Sequence, residues 1–186
     1  VNEDGVVNSD DRTFIGNYQP DFSWGMTNTF GYKGFELSVM LNGVHGNEIM
    51  NHHSRFLKSF NGDRNSYKSS YNYWRSESDP GDGQTFKPRV IQNTVQAQGS
   101  TYWVEDGSFI RIKNIRLGYN VPQSVLSKAG IGSLKLYVNL ENVYVFSDYS
   151  NYDPEGSTYQ AGTLVGFDYG AYPIPFVATA GINLGF

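Results

Sequence analysis

Oxygen-bearing side chains recur through the opening segment, at Asn2, Asp4, Asn8 and Asp11, with Gly5 directly after Asp4. Counting Gly5 as the turn glycine of a calcium loop puts Asn2 and Asp4 at ligand positions, Val6 at the carbonyl position and Asp11 at the last. The first ligand position would precede Val1, and Asp11 is shorter than the usual Glu. Asn2, Asp4, Val6 and Asp11 are candidate ligands of a structural calcium, and a plain Asn/Asp/Gly turn is the simpler reading of the same residues. No other cofactor is implied. A second group is aromatic: Tyr71, Tyr73, Trp74, Tyr102 and Trp103 in one polar stretch, and Tyr149, Tyr152 and Tyr169 in another. Ring faces among Asn, Asp and Arg suit stacking on sugar rings, or contact with a peptide or a lid protein. For any single ring, packing of the loops against each other is the simpler reading; for the group, some contact with a ligand or lid is expected. His52 and His53 are adjacent, so their side chains diverge, and no further zinc ligands can be assigned. They are expected at the surface. No nucleophile elbow, phosphate loop or HExxH motif is present, and the expectation is not an enzyme.

The composition removes further classes. Among 186 residues the formal net charge is −4, which excludes a basic nucleic-acid footprint. Cysteine is absent, so neither disulfides nor thiol chemistry operate. No apolar run approaches the roughly 18 residues of a membrane helix. Aromatics reach 16% while charged residues stay at 17%, below the usual quarter. That balance fits a transmembrane barrel, where only alternate residues face lipid.

The elements that would position these residues are strands. Phe22, Trp24, Met26, Phe30 and Tyr32 share one face of a first strand, with Asn28 the one polar member. Lys33-Gly34 is a turn signal. Phe35, Leu37, Val39 and Leu41 then alternate with Glu36, Ser38, Met40 and Asn42. A third strand runs from about Ser108 to Val121, with Ile115, Leu117 and Tyr119 opposite Arg116 and Gly118. Its upper half, 109–113, is mixed, as suits a part standing above a membrane. Pro122 to Gly132 makes a short connection with one helical turn. Leu134, Leu136, Val138 and Leu140 form the apolar side of a fourth strand. Phe176, Ala178, Ala180, Ile182, Leu184 and Phe186 form that of a fifth. Ile49, Phe56, Leu57 and Phe60 recur at helical spacing inside the first long connection.

Short connections follow the first and third strands, and long ones, roughly 46–107 and 146–174, follow the second and fourth. All long loops therefore lie on one side, as in outer-membrane barrels with short periplasmic turns and long external loops. Phe22 and Trp24 at one end, and Phe30, Tyr32, Phe35 and Tyr119 at the other, make two aromatic belts. Arg111, Lys113, Arg116, Lys135 and Glu141 are expected to point into the barrel, toward a plug or a solvated wall. Five strands cannot close a membrane barrel, which needs about eight. The expectation is an antiparallel transmembrane β-barrel of which residues 1–186 are the last five or so strands, the C-terminal part of a longer protein. The alternative is a secreted β-sandwich that binds glycans without transport.

Particular runs also resemble a family. Asp11-Arg12-Thr13-Phe14-Ile15-Gly16-Asn17 with Pro20-Asp21-Phe22 is similar to a segment of the SusC/RagA-type TonB-dependent transporters, glycan and peptide importers of Bacteroidetes outer membranes. So are Gly46-Asn47-Glu48-Ile49, the run Val104-Glu105-Asp106-Gly107-Ser108-Phe109 into Leu117-Gly118-Tyr119, and Asn139-Leu140-Glu141-Asn142. The resemblance implies a barrel of about 22 strands. It also implies a SusD-like surface lipoprotein as lid, an N-terminal plug that engages TonB, and import of oligosaccharides or peptides. Thr179, Gly181, Leu184 and Phe186 resemble the terminal-strand signal read by the outer-membrane assembly machinery. The C-terminus would then be periplasmic, with lipid around the apolar face.

Overall fold

The structure is a computed structural model that describes residues 5, 9–58, 65–83, 85, 99–127, 130–156 and 165–186. In chain order its strands are β1 (Phe22–Tyr32), β2 (Phe35–His45), β3 (Glu48–Asn51), β4 (Val104–Asp106), β5 (Phe109–Asn120), β6 (Ser133–Phe146), β7 (Phe167–Asp168) and β8 (Val177–Gly185). Two short helices, α1 (His52–Leu57) and α2 (Gln123–Leu126), join them. The chain forms two compact units. One comprises Pro20–Asn47, Gly107–Asp148 and Pro173–Phe186; the other comprises Val1–Gln19, Glu48–Asp106 and Tyr149–Tyr172.

The first unit is a five-stranded antiparallel sheet in the order β1-β2-β5-β6-β8. Its five strands are those the alternation predicts, and α2 is the predicted helical turn. Cross-strand partners line up by chemistry. Phe30, Leu37, Leu117, Val138 and Ala180 form one row; Tyr32, Phe35, Tyr119, Leu136 and Ile182 form the next. Both rows lie on one face because side chains alternate along each strand and partners share a side. Aromatic residues gather at both ends of this face. Tyr32, Phe35 and Tyr119 lie toward the short turns, while Trp24 and Phe146 occupy a row at the far end.

The mixed stretch 109–113 has a different cause from the one its composition suggests. β5 carries one extra residue, Lys113, between its partners Leu41 and Met40 on β2. Opposite it, β6 carries two residues, Asn142 and Val143, between Glu141 and Tyr144. These bulges shift the phase of β5. Ile110 and Ile112 thereby join Ile115 and Leu117 on the apolar face, and Phe109 and Arg111 turn to the other. Asn142 takes a positive φ of 52°, which Asn tolerates better than most residues.

The opposite face is polar and cross-linked. Lys135 passes over Gly118 to reach Glu36 on β2 at 2.9 Å. Asn114 donates to Asn139, and Asn139 to Glu141, each at 2.9 Å. The Arg116 guanidinium lies 4.8 Å over the Tyr137 ring. That ring occupies the space a side chain at position 181 would take, so Gly181 is needed there for close approach. Arg116, Lys135 and Glu141 thus sit on the face expected of them. Arg111 is buried, with its guanidinium 5.7 Å from the Phe109 ring.

Met26, Phe30, Phe35, Leu117, Leu136, Ile182 and Leu184 are all exposed on the apolar face. A sandwich would bury this face beneath a second sheet. The sheet is also open, with β1 and β8 at its edges rather than joined in a ring.

The second unit departs from an all-antiparallel pattern. Its three short strands run in the order β4-β3-β7, and β3 pairs β7 in parallel. Ile49 belongs to β3 rather than to the predicted helix, which is shortened to α1; Phe60 lies outside the described residues. Two- to four-residue strands carry too little alternation to be read from a sequence.

Candidate loop recognition site

The aromatic candidates all lie in the second unit, which two polar nodes hold together. The first is centred on Asn51, fully buried at the end of β3. Its Oδ1 accepts the Ser54 N–H at 2.8 Å and caps α1. Its Nδ2 donates to Glu105 Oε1 at 2.9 Å and to Ser150 Oγ at 3.3 Å. Glu105 in turn accepts the Ser150 N–H and hydroxyl, each at 2.8 Å. Three distant segments are fastened by one amide and one carboxylate.

The second node is Asp168, which ends β7 and is only 1% exposed. Its Oδ1 accepts the N–H groups of Gly170 and Ala171 at 2.7 and 2.8 Å, an Asx turn. Its Oδ2 accepts the Tyr149 hydroxyl at 2.7 Å and Asn151 Nδ2 at 2.5 Å. Burial opposes ionisation here, but the donors from Ala171, Tyr149, Gly170 and Asn151 prevail and hold the carboxyl below the usual range. Burial, with the Asp168 carboxylate beside it, pushes the Tyr149 phenol well up. Neither group is poised to transfer a proton near neutrality: the acid is fully engaged and the phenol stays protonated.

Rings pack around these nodes. His52 stacks on Tyr169 with centroids 4.5 Å apart and planes 13° from parallel, and lies 5.3 Å from Phe167. At 7% exposure it is buried, not at the surface as expected. The Asn51 cap starts α1 so that its first residue faces the β7 segment. Burial, then the Arg55 charge, lowers the His52 pKa. His53 is half-buried, packed edge-on to Tyr67 at 6.3 Å and tilted to Tyr152 at 5.8 Å. A Cβ on Gly170 would lie 3.0 Å from the His53 ring, and its φ of +100° independently requires glycine.

A second group forms around Arg75. Its guanidinium lies 4.5 Å over the Tyr73 ring, donates to the Tyr71 carbonyl at 2.6 Å and pairs with Asp79 at 3.2 Å. Tyr71 and Trp74 are exposed there. Of the predicted contact residues, Tyr71, Trp74 and Tyr152 thus offer ring surface to solvent, and Tyr73, Tyr102 and Tyr169 are half-buried. Trp103 and Tyr149 are buried. Tyr102 packs edge-on to Trp103 at 4.6 Å. Asp11 closes the short turn Ser9–Asp11, while Asn2, Asp4 and Val6 lie outside the described residues. Among the described residues no group of three His, Asp or Glu side chains could hold a metal ion.

No family model matches the chain. A TonB-dependent receptor of Formosa agariphila is 34% identical over 187 residues, covering 98% of this chain and 18% of its own length. The TonB-dependent receptor SusC of Bacteroides thetaiotaomicron is 25% identical over 198 residues, covering all of this chain and 17% of its own length. The structure of the RagAB peptide importer in its open-open state superposes over 91% of this chain and 17% of that one, with a TM-score of 0.71 at 27% identity. Over nearly its whole length the chain matches a segment of the SusC/RagA-type TonB-dependent receptors. It spans about a fifth of the length of the relatives it matches.

In this receptor segment the motif residues act as fasteners. Glu48 of the Gly46–Ile49 run accepts the Asn17 N–H at 2.7 Å and donates its own N–H to the Asn17 carbonyl at 2.8 Å. Asn17 itself closes the Asp11–Asn17 run. Glu105, from the Val104–Phe109 run, anchors Asn51 and Ser150. The sequence alone assigns neither acid a role. Nor does it single out Asn51 or Asp168, although Asp168-Tyr169-Gly170 carries the composition of an Asx turn.

Proposed function

We propose that this chain is the C-terminal part of the barrel domain of an outer-membrane importer of oligosaccharides or peptides. The observation that carries the reading is the five-strand apolar face, exposed and flanked by aromatic rows at both ends. Members of this receptor family are outer-membrane β-barrels, and lipid is the natural cover for such a face. In the whole receptor, residues 1–186 would supply the last strands, with the plug and earlier strands contributed by the rest of the protein. The long connections would stand outside the cell and the C-terminus in the periplasm. Thr179, Gly181, Leu184 and Phe186 would serve as the assembly signal. A SusD-like lipoprotein would cap the barrel, a role for which the RagAB complex offers a precedent, and TonB would energise import through the plug. The exposed rings of Tyr71, Trp74 and Tyr152 are the proposed contacts with substrate or lid, backed by Tyr73, Tyr102 and Tyr169 and held in place by Trp103 and Tyr149. Calcium at Asn2, Asp4, Val6 and Asp11 rests on their spacing; calorimetry of the intact receptor with Ca²⁺ showing no heat would remove it.

The test is uptake. Deleting the intact receptor should abolish growth on one class of oligosaccharide or peptide. Restoring it with Tyr71→Ala and Trp74→Ala together should rescue membrane assembly but weaken uptake or lid binding. Growth unaffected by deletion on every such nutrient would sink the import reading.

A further inference from the structure

The apolar face of the five-stranded sheet is not smooth. Toward the short-turn end it holds a concavity of about 490 Å³ lined by Phe35, Leu117, Tyr119, Leu136, Ala180 and Ile182. That volume falls within the roughly 300–1,000 Å³ of small-molecule sites. Its cause is local. Ala180 is the small member of the row Leu117, Val138, Ala180, and the larger row Tyr119, Leu136, Ile182 stands directly beside it. Phe35 and Tyr119, with ring centroids 4.5 Å apart, wall the depression on the side nearer the turn. In the turn between β1 and β2, Lys33 holds its ammonium 5.2 Å over the ring of Tyr32, the cross-strand partner of Phe35. The nearest acid in sequence, Glu36, is on the opposite face in its pair with Lys135. The depression itself is walled by hydrocarbon and aromatic carbon, and the strand on its Phe35 side, β2, is joined to β1 by the turn that carries the Lys33 cation.

The geometry points to a bound glycerophospholipid: one acyl chain occupies the concavity and the phosphate sits at Lys33. This rests on the membrane reading above, and on the short turns lying in the leaflet built of phospholipid. A phosphate near the surface gains from a single Lys, and an acyl chain gains by filling a depression that straight annular chains would leave half empty.

The test uses the intact receptor in vesicles of phosphatidylethanolamine and phosphatidylglycerol, with a trace of phosphatidylglycerol carrying a photoreactive group on one acyl chain. Peptide mapping should find adducts concentrated on residues 117–119, 136–138 and 180–182, above those on Val39 and Leu41 of the same face. Lys33→Glu should lower the groove adducts several-fold while leaving Val39 and Leu41 unchanged. Ala180→Phe should remove them by filling the depression. Equal labelling of the whole face, or labelling indifferent to Lys33→Glu, means bulk lipid only and overturns the site while leaving the membrane reading intact. A lipid A probe that labels the groove in preference overturns the phospholipid and places the turn in the other leaflet. No labelling anywhere on the face overturns both.

Discussion

In the five-stranded sheet a backbone ladder sets every row from Trp24 to Leu184, and the side chains only choose a face. In the unit built on Asn51 and Asp168 the roles reverse. Among its described residues the backbone has little regular structure of its own, and buried side chains dictate its course by accepting its N–H groups. The sheet spreads its stability over many equivalent pairs, so most single changes on it are tolerated unless they alter which solvent a face meets. The loop unit concentrates its order in a few polar atoms, each with several partners, so single changes there have local and complete effects. A scaffold of the first kind can carry recognition surfaces of the second kind, because loops are positioned by the element they leave.

Placing a charge on the apolar face tests this contrast most severely. Leu136→Arg should cost roughly 2–4 kcal/mol if the face meets the bilayer midplane, and abolish the folded form of the receptor in gels and outer-membrane fractions. Normal assembly would mean that the face does not contact lipid. Asp168→Asn comes next. It keeps the shape but leaves donors unsatisfied, at about 1–3 kcal/mol for each buried group orphaned. Amide exchange should rise in 149–153 and 166–171 with the sheet still protected and the receptor still assembled. Loss of protection in both units together would show that they are one cooperative body.

A smaller effect should come from pH. The folded pKa of His52 lies below its unfolded value near 6.5, because the buried ring stays neutral. The unfolded unit therefore binds more protons in acid, and stability present above about pH 6.5 is lost as pH falls toward the lowered value. Asp168, also lowered, contributes in the same direction only below the ordinary carboxylate range of about 4. Protection factors around α1, with the intrinsic pH dependence of exchange divided out, should fall between pH 7 and 5 in the wild type and lose that dependence in His52→Phe. The smallest effect on stability, within about 0.5 kcal/mol, should follow Tyr71→Ala with Trp74→Ala, since both rings are exposed. Any larger loss would mean that these rings hold the loop together rather than meet a partner.

Legibility followed the same division. All five long strands, the turn at Lys33-Gly34 and the polar face holding Arg116, Lys135 and Glu141 were readable, because a period of two repeated over ten residues is a strong signal. The mixture at 109–113 was visible, but not its origin. A bulge is defined by a partner strand, and Lys113 is an inserted residue only relative to Leu41 and Met40. The short strands β3, β4 and β7 were invisible for want of length. His52 was misplaced because its burial depends on Tyr169, more than a hundred residues away.

The amino-acid order alone determined which residues alternate, where the chain turns and which family motifs it carries, since these are properties of neighbours. Only the tertiary structure decided that Asn51 meets Glu105 and Ser150, that Asp168 gathers four donors, and that Ala180 leaves a depression beside Phe35 and Tyr119. Each depends on segments brought together from far apart in the chain, and local periodicity carries no information about that distance.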